Sequence, residues 1–166
     1  TNHVTIGETT VYPGPGESYA QLLRDILVAI SISCREYIKM AAITNAEDAH
    51  HFQYMLGELY LTGDVVNLDH AEALRWFQMA CEKNDKAQLA LGRMYAAGWG
   101  VPVDDVEALR WFNKAATENN MYAQAIMGLR YLEGRGVPAD RKVAKKWLQK
   151  AAEQGDVDAI EALENL

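Results

Sequence analysis

One group of residues near the middle of the chain has side chains that could bind a metal ion together: Asp48, His50, His51 and His70. A metal site needs ligands at helical or loop spacing, together with hydrogen bonds that orient them. These four residues do not follow such a spacing, and a polar helix start beside a solvent-facing loop explains them better. We therefore predict no metal site and no bound cofactor.

A nucleophilic pair of Cys34 with one of the histidines is the next candidate for chemistry. Cys34 lies in an apolar helical pattern, and nothing near it supplies an oxyanion hole. The glycine pairs Gly98-x-Gly100 and Gly134-x-Gly136 do not follow a strand and do not precede a Lys-Ser/Thr pair, so they are not phosphate loops. We predict no catalytic residues and expect that the chain is not an enzyme.

The overall charge restricts the classes of partner. Sixteen Lys and Arg residues oppose 23 Asp and Glu residues in a chain of 166, which gives a net charge of -7. This argues against binding to nucleic acid or anionic lipid, whose phosphates attract a basic surface. It permits a protein partner with a basic patch, and it also serves solubility. No apolar run reaches the roughly 20 residues of a membrane-spanning helix, so we predict no membrane insertion.

The cellular location is only weakly indicated. Two cysteines, Cys34 and Cys81, do not make a disulfide framework. A first residue Thr1 in place of Met fits either a chain whose signal peptide has been removed or a shortened one. We favour a periplasmic or secreted location over a cytoplasmic one.

Three segments of the chain repeat one another. The blocks that begin at Met55, Ala90 and Ile126 share a Gly and, three residues later, a Tyr, and the steps between them are 35 and 36 residues. Each block has an apolar stripe at helical spacing and is followed by a second stripe that carries an Asp, an Ala and a Trp. Each copy is therefore predicted to form two helices, a first and a second, over about residues 51–86, 87–122 and 123–155.

Glycines and aspartates punctuate these predicted helices. Gly98 suits a left-handed helix end, and either Asp104 or Asp105 suits the start of the next helix. A glycine inside the first helix costs about 1 kcal/mol relative to alanine. Because this glycine occurs in all three copies, we predict close helix packing there; the residues are Gly57, Gly92 and Gly128.

The pattern of Leu-Gly, Tyr, Gly-x-Gly-Val, Asp, Ala, Trp and Ala-Ala resembles the Sel1-like repeat, a relative of the tetratricopeptide repeat. The resemblance implies an all-α fold, an α/α solenoid of three helix pairs in which the first helices line the concave side. Two positions depart from the pattern. Val65 stands where the other copies have glycine, and Arg130 stands where they have Leu59 and Met94. We expect Arg130 to reach solvent along its aliphatic stem.

The two ends of the solenoid are predicted to differ from its centre. Residues 18–50 resemble a degenerate repeat, which we interpret as an N-terminal helical cap. Residues 1–17, with β-prone Val4, Ile6 and Val11, form either an extended arm, our preference, or a flexible tail. Residues 156–166 are predicted to form a C-terminal capping helix.

The predicted partner-binding site is the face of the first helices that lies opposite their core stripe, with the loops that follow them. It mixes apolar and charged side chains, as interfaces do. The predicted site residues are Tyr54, Glu58, Leu61, Leu89, Arg93, Ala96, Trp99, Leu129, Leu132 and Arg135. Trp99 is either a binding hot spot or a cover for a neighbouring loop or the arm.

The resemblance implies a protein-interaction scaffold or adaptor. A narrower form is a bacterial immunity protein that neutralises a secreted toxin. The alternative is a small-ligand-binding protein or a hydrolase of cell-wall-type substrates, although the cysteine pattern of the relatives proposed to be hydrolases is missing here.

Overall fold

The computed structural model describes residues 49–63 and 66–166, together with the backbone of residues 4–6 and 9–11. Within these ranges seven helices follow one another. They are α1 (Ala49–Thr62), α2 (His70–Ala80), α3 (Asp85–Ala97), α4 (Asp105–Thr117), α5 (Met121–Glu133), α6 (Arg141–Glu153) and α7 (Val157–Glu164). Each helix packs against the next, which confirms the predicted α/α solenoid of three helix pairs. None of the described helices is long and apolar enough to cross a membrane.

Two short strands precede the helices. Strands β1 (Val4–Ile6) and β2 (Thr9–Val11) pair antiparallel, with Thr5 opposite Thr10. Helix α1 includes Ala49 and His50, which the sequence analysis places in the cap. The remaining residues of the predicted arm and cap lie outside the described residues, as do Cys34, Asp48 and Val65.

Side-chain caps fix where the helices begin. The second helices α2, α4 and α6 each start after an aspartate whose carboxylate accepts hydrogen bonds from two backbone N–H groups; these are Asp69, Asp104 and Asp140. Such a cap satisfies N–H groups that have no partner within the helix. Of the two aspartates considered for α4, Asp104 is therefore the cap and Asp105 is the first helical residue. Gly98 ends α3 at a φ of 74°, as predicted.

The paired helices pack closely because the first helix of each pair has a glycine at the point of contact. A Cβ atom placed on Gly92 of α3 would lie 2.5 Å from the ring of Phe112 on α4. Gly57 makes the same close contact with Phe77, and Gly128 makes it with Leu148. The glycines recur because any larger residue would push the second helix away, which confirms the predicted close packing.

Buried glutamines connect successive copies. Gln88 of α3 is fully buried, and its Nε2 donates to the Cys81 carbonyl and to Glu118 Oε1, both at 2.9 Å. Gln124 of α5 donates to the Ala116 carbonyl at 3.1 Å and accepts from Gln154 at 2.8 Å. Each glutamine thus ties the end of the preceding second helix to the end of the following one.

The prediction for Arg130 was wrong. Its side chain is 7% exposed, and Nη1 lies 2.9 Å from Asp105 Oδ1 at the start of α4. The guanidinium carbon lies 4.9 Å from the ring centroid of Phe112. The hydrogen bond from Arg130 holds the pKa of Asp105 below its ordinary value. A charged partner and an aromatic face therefore compensate the burial of this arginine.

Replacement of Gly92 by alanine should lower the free energy of unfolding. Overpacking against Phe112 costs about 1–3 kcal/mol, which outweighs the helix-propensity gain of about 1 kcal/mol. Urea denaturation would measure the change. Gly155→Asn is the control, because this loop position is open and Asn119 adopts the same left-handed conformation one copy earlier. A stabilised Gly92→Ala protein would contradict the packing argument.

Asp105→Asn should destabilise the protein by about 1–3 kcal/mol at neutral pH, because the buried Arg130 loses its anionic partner. The folded-state pKa of Asp105 is lowered, so its contribution is present at neutral pH and is lost as pH falls through that lowered pKa. The stability difference between wild type and variant should therefore shrink below about pH 4. Glu107→Gln, which removes the exposed ion pair with Arg110, should cost less than about 1 kcal/mol.

Candidate protein-binding groove

A groove of about 570 Å³ opens along the first helices α1, α3 and α5. Six of the ten predicted site residues line it: Tyr54, Glu58, Leu61, Leu89, Arg93 and Trp99. The structure adds four residues that the sequence analysis did not include: Lys86, Ala90, Asn120 and Tyr122.

The other four predicted site residues lie elsewhere. Ala96 packs against the core around Phe112, and Arg135 forms an ion pair with Asp105. Leu132 packs beside the Leu148 core and lines a second cavity of about 510 Å³, while Leu129 is exposed outside the groove. The groove therefore includes six of the ten predicted site residues, from copies one and two.

Leu89 occupies a different position from the one predicted. It lines the groove, but only 6% of its surface is exposed, because it also packs into the core with Phe112 and Met127. Leu89 therefore forms an apolar floor and does not project toward solvent. Above this floor stand the longer side chains of Arg93 and Lys86, both of which are exposed.

The groove contains two charged residues, Glu58 and Arg93, that form no ion pair with any other described residue. Glu58 lies one turn after Tyr54 on α1, and Arg93 occupies the equivalent position on α3. Burial raises the pKa of Glu58, and the positive charge of Arg93 partly opposes this effect. Burial, followed by the charge of Glu58, also raises the pKa of Tyr54.

The position of Trp99 is compatible with both predictions made for it, a binding residue and a cover for a neighbouring loop. Its ring stacks on His70 at the start of α2, with the centroids 5.9 Å apart and the planes at 26°. It also lines the groove and is 40% exposed. A Cβ atom on Gly100 would lie 2.9 Å from the carbonyl of His70, so the loop has to be glycine at this point. The loop thus holds the indole in place at the edge of the groove.

Two of the four residues that sequence analysis missed lie on the predicted helix face, one turn nearer the helix N-terminus. Lys86 and Tyr122 are equivalent positions in copies two and three, and Lys86, Ala90 and Arg93 are spaced as one helix face. Tyr122 is 56% exposed. Extending the predicted face toward the helix N-terminus would have found both residues.

The described residues offer little for covalent chemistry. Among residues 49–63 and 66–166, no group of three or more His, Cys, Asp or Glu side chains could hold a metal ion. Burial raises the pKa of the Cys81 thiol, which reduces its thiolate fraction and therefore its reactivity.

Stacked helix pairs with a glycine contact in each pair, and a groove along the first helices, define an α/α solenoid repeat protein. The chain belongs to the Sel1 repeat family, since the Sel1 repeat profile matches residues 50–85, 86–120 and 122–156. Proteins built from this repeat generally mediate protein–protein interactions, and the fold is typically a non-catalytic scaffold.

Two solved bacterial proteins are similar to this chain in sequence and in fold. The chain is similar to a Sel1 repeat protein from Oxalobacter formigenes, with 37% identity, a TM-score of 0.71 and coverage of 79% of this chain and 97% of that one. It is 40% identical to c5321, a protective antigen of uropathogenic Escherichia coli with an SLR fold, with a TM-score of 0.66, over 68% of this chain and 24% of that one.

A more distant structure shares the fold alone. Helicobacter pylori cysteine-rich protein B is 23% identical, with a TM-score of 0.61 over 81% of this chain and 95% of that one. Comparison with curated protein sequences gave no match.

The electrostatic link across the groove can be tested by NMR. Replacement of Arg93 by leucine should raise the pKa of the Glu58 carboxyl further, because the positive charge that opposes the effect of burial is removed. A carbon-detected titration of the Glu58 side chain would measure this pKa. Arg75→Leu, on the solvent side of α2, should leave it unchanged. An equal pKa in the Arg93→Leu and wild-type proteins would contradict the proposed link.

Proposed function

We propose that this protein is an interaction scaffold that holds a segment of a partner protein in the groove between α1, α3 and α5. The observation that carries the proposal is the groove's composition. It has an apolar floor at Leu89, and exposed aromatic rings at Trp99 and Tyr122. It also has charges at Glu58 and Arg93 that form no ion pair within the described part of the chain. Aromatic and arginine side chains around an apolar centre are typical of binding hot spots.

The charges specify what the partner segment should carry. Glu58 suits a basic side chain, whereas Arg93 and Lys86 suit an acidic one on the α3 side of the groove. The apolar floor at Leu89 suits an aliphatic or aromatic anchor between them. We therefore expect the partner to present an apolar residue flanked by charges of both signs.

The sequence suggests one narrower form of the scaffold and one alternative to it. An immunity protein would hold a secreted toxin in this groove, through a basic patch on the toxin and with very tight binding. A small-ligand-binding protein would use the same volume, which lies in the range of small-molecule pockets. We favour the protein partner because the exposed aromatic rings lie at the rim of the groove.

A binding experiment with matched variants tests the scaffold proposal. A partner captured from native lysate by the wild-type chain would be identified by mass spectrometry, purified, and titrated calorimetrically against Arg93→Glu, Tyr122→Ala and Trp99→Ala. Truncation of a hot-spot aromatic weakens binding by about thirtyfold. Both Arg93 and Tyr122 are exposed, so their replacement should leave the fold intact.

The control is Arg110→Glu on the solvent face of α4, which should bind as wild type does. Equal affinity for the partner in wild type, Arg93→Glu and Tyr122→Ala would move the interface away from the groove. Saturable binding of a small molecule that is lost in these two variants would favour the small-ligand alternative.

A further inference from the structure

The solvent-facing side of α6 carries five cations, although the chain as a whole is acidic. Arg141, Lys142, Lys145, Lys146 and Lys150 are all exposed and lie on one half of the helix; we call them the α6 stripe. Between residues 141 and 150 the stripe extends about 14 Å along the helix axis. No acidic residue interrupts it over this length.

The equivalent helices of the other copies neutralise their exposed arginines. On α2, Arg75 pairs with Glu72 at 2.9 Å, and on α4, Arg110 pairs with Glu107 at 2.9 Å. On α6 the arginine position is Lys146, but the glutamate position is Val143. The stripe is therefore a departure of copy three from the pattern of the repeat.

Among the described residues, no Asp or Glu side chain forms an ion pair with a stripe cation. Arg141 donates to the main-chain oxygen of the last residue, Leu166, and Lys150 lies over the Trp147 ring at 4.7 Å. Like charges four residues apart, as in Lys142 and Lys146, destabilise a helix. The helix tolerates this repulsion because the burial of its opposite face, at Ala144, Leu148 and Ala151, stabilises it.

Exposed acidic residues flank the stripe along the chain and limit what can bind to it. Asp140 precedes it, Glu153 follows it, and α7 adds Asp158 and Glu161 as exposed acids. A bilayer or a nucleic-acid duplex is larger than the stripe and would have to approach these carboxylates and the net charge of -7. A single acidic peptide segment, about four extended residues in length, fits on the stripe alone.

We propose that the α6 stripe is a second docking surface, which binds an acidic segment of a partner protein. The stripe lies on α6, which is the second helix of copy three. The groove is formed by the first helices α1, α3 and α5, and it shares no residue with the stripe. The chain thereby offers two separate sites: a mixed-charge groove and a cationic helix face. The proposal does not rest on the function of the groove.

Fluorescence anisotropy with a labelled octaglutamate peptide tests this inference on the full chain. The wild-type protein should bind the peptide saturably, with an affinity that falls as salt rises. A triple variant, Lys142→Gln with Lys145→Gln and Lys146→Gln, should bind about tenfold more weakly. Its thermal unfolding should be unchanged or shifted upward, because like-charge repulsion is relieved.

The matched control removes the same number of exposed positive charges elsewhere: Arg75→Gln with Lys83→Gln and Arg110→Gln. It should bind the peptide as wild type does. Equal weakening in both triple variants would show an effect of net charge alone and would overturn the proposal. Absence of binding by wild type, or tighter binding to a DNA duplex or to phosphatidylserine-containing vesicles than to the peptide, would overturn it too.

Discussion

The contact between a glycine of each first helix and a large side chain of its paired second helix determines how closely the two helices approach. Phe77, Phe112 and Leu148 occupy the space that a side chain on Gly57, Gly92 or Gly128 would fill. Because this contact is the same in each copy, the three pairs stack regularly. The core stripes of the first helices are covered, and their opposite face remains available for the groove.

Local signals in the sequence predicted most of the architecture. The repeated glycines and aspartates indicated the helix pairs, their ends and their close packing, because caps and glycine contacts depend on residues a few positions apart or at equivalent places. The groove was found only in part. Its outer residues followed from helical spacing, but the burial of Leu89 depends on copy three, whose packing against it no local pattern specifies.

Contacts between copies were harder to predict. Arg130 finds its carboxylate on Asp105, 25 residues earlier, and a single sequence gives no reason to pair them. The buried glutamines were a different case, since Gln53, Gln88 and Gln124 recur at the repeat spacing. A polar residue that recurs at a buried position in every copy indicates a structural hydrogen bond. Here Gln88 and Gln124 each connect the second helix of one copy to the second helix of the next.

The residue between the two loop glycines makes a different contact with the preceding copy in copy two and in copy three. Trp99 stacks on His70, whereas Arg135 pairs with Asp105 one copy later. Loss of copy two by in-frame recombination would bring Arg135 against His70 and leave Arg130 without an acid. The three copies share one sequence pattern, but the contacts between neighbouring copies differ. Each copy therefore fits only the neighbours that it has in this chain, and removing or reordering a copy would leave side chains without their partners.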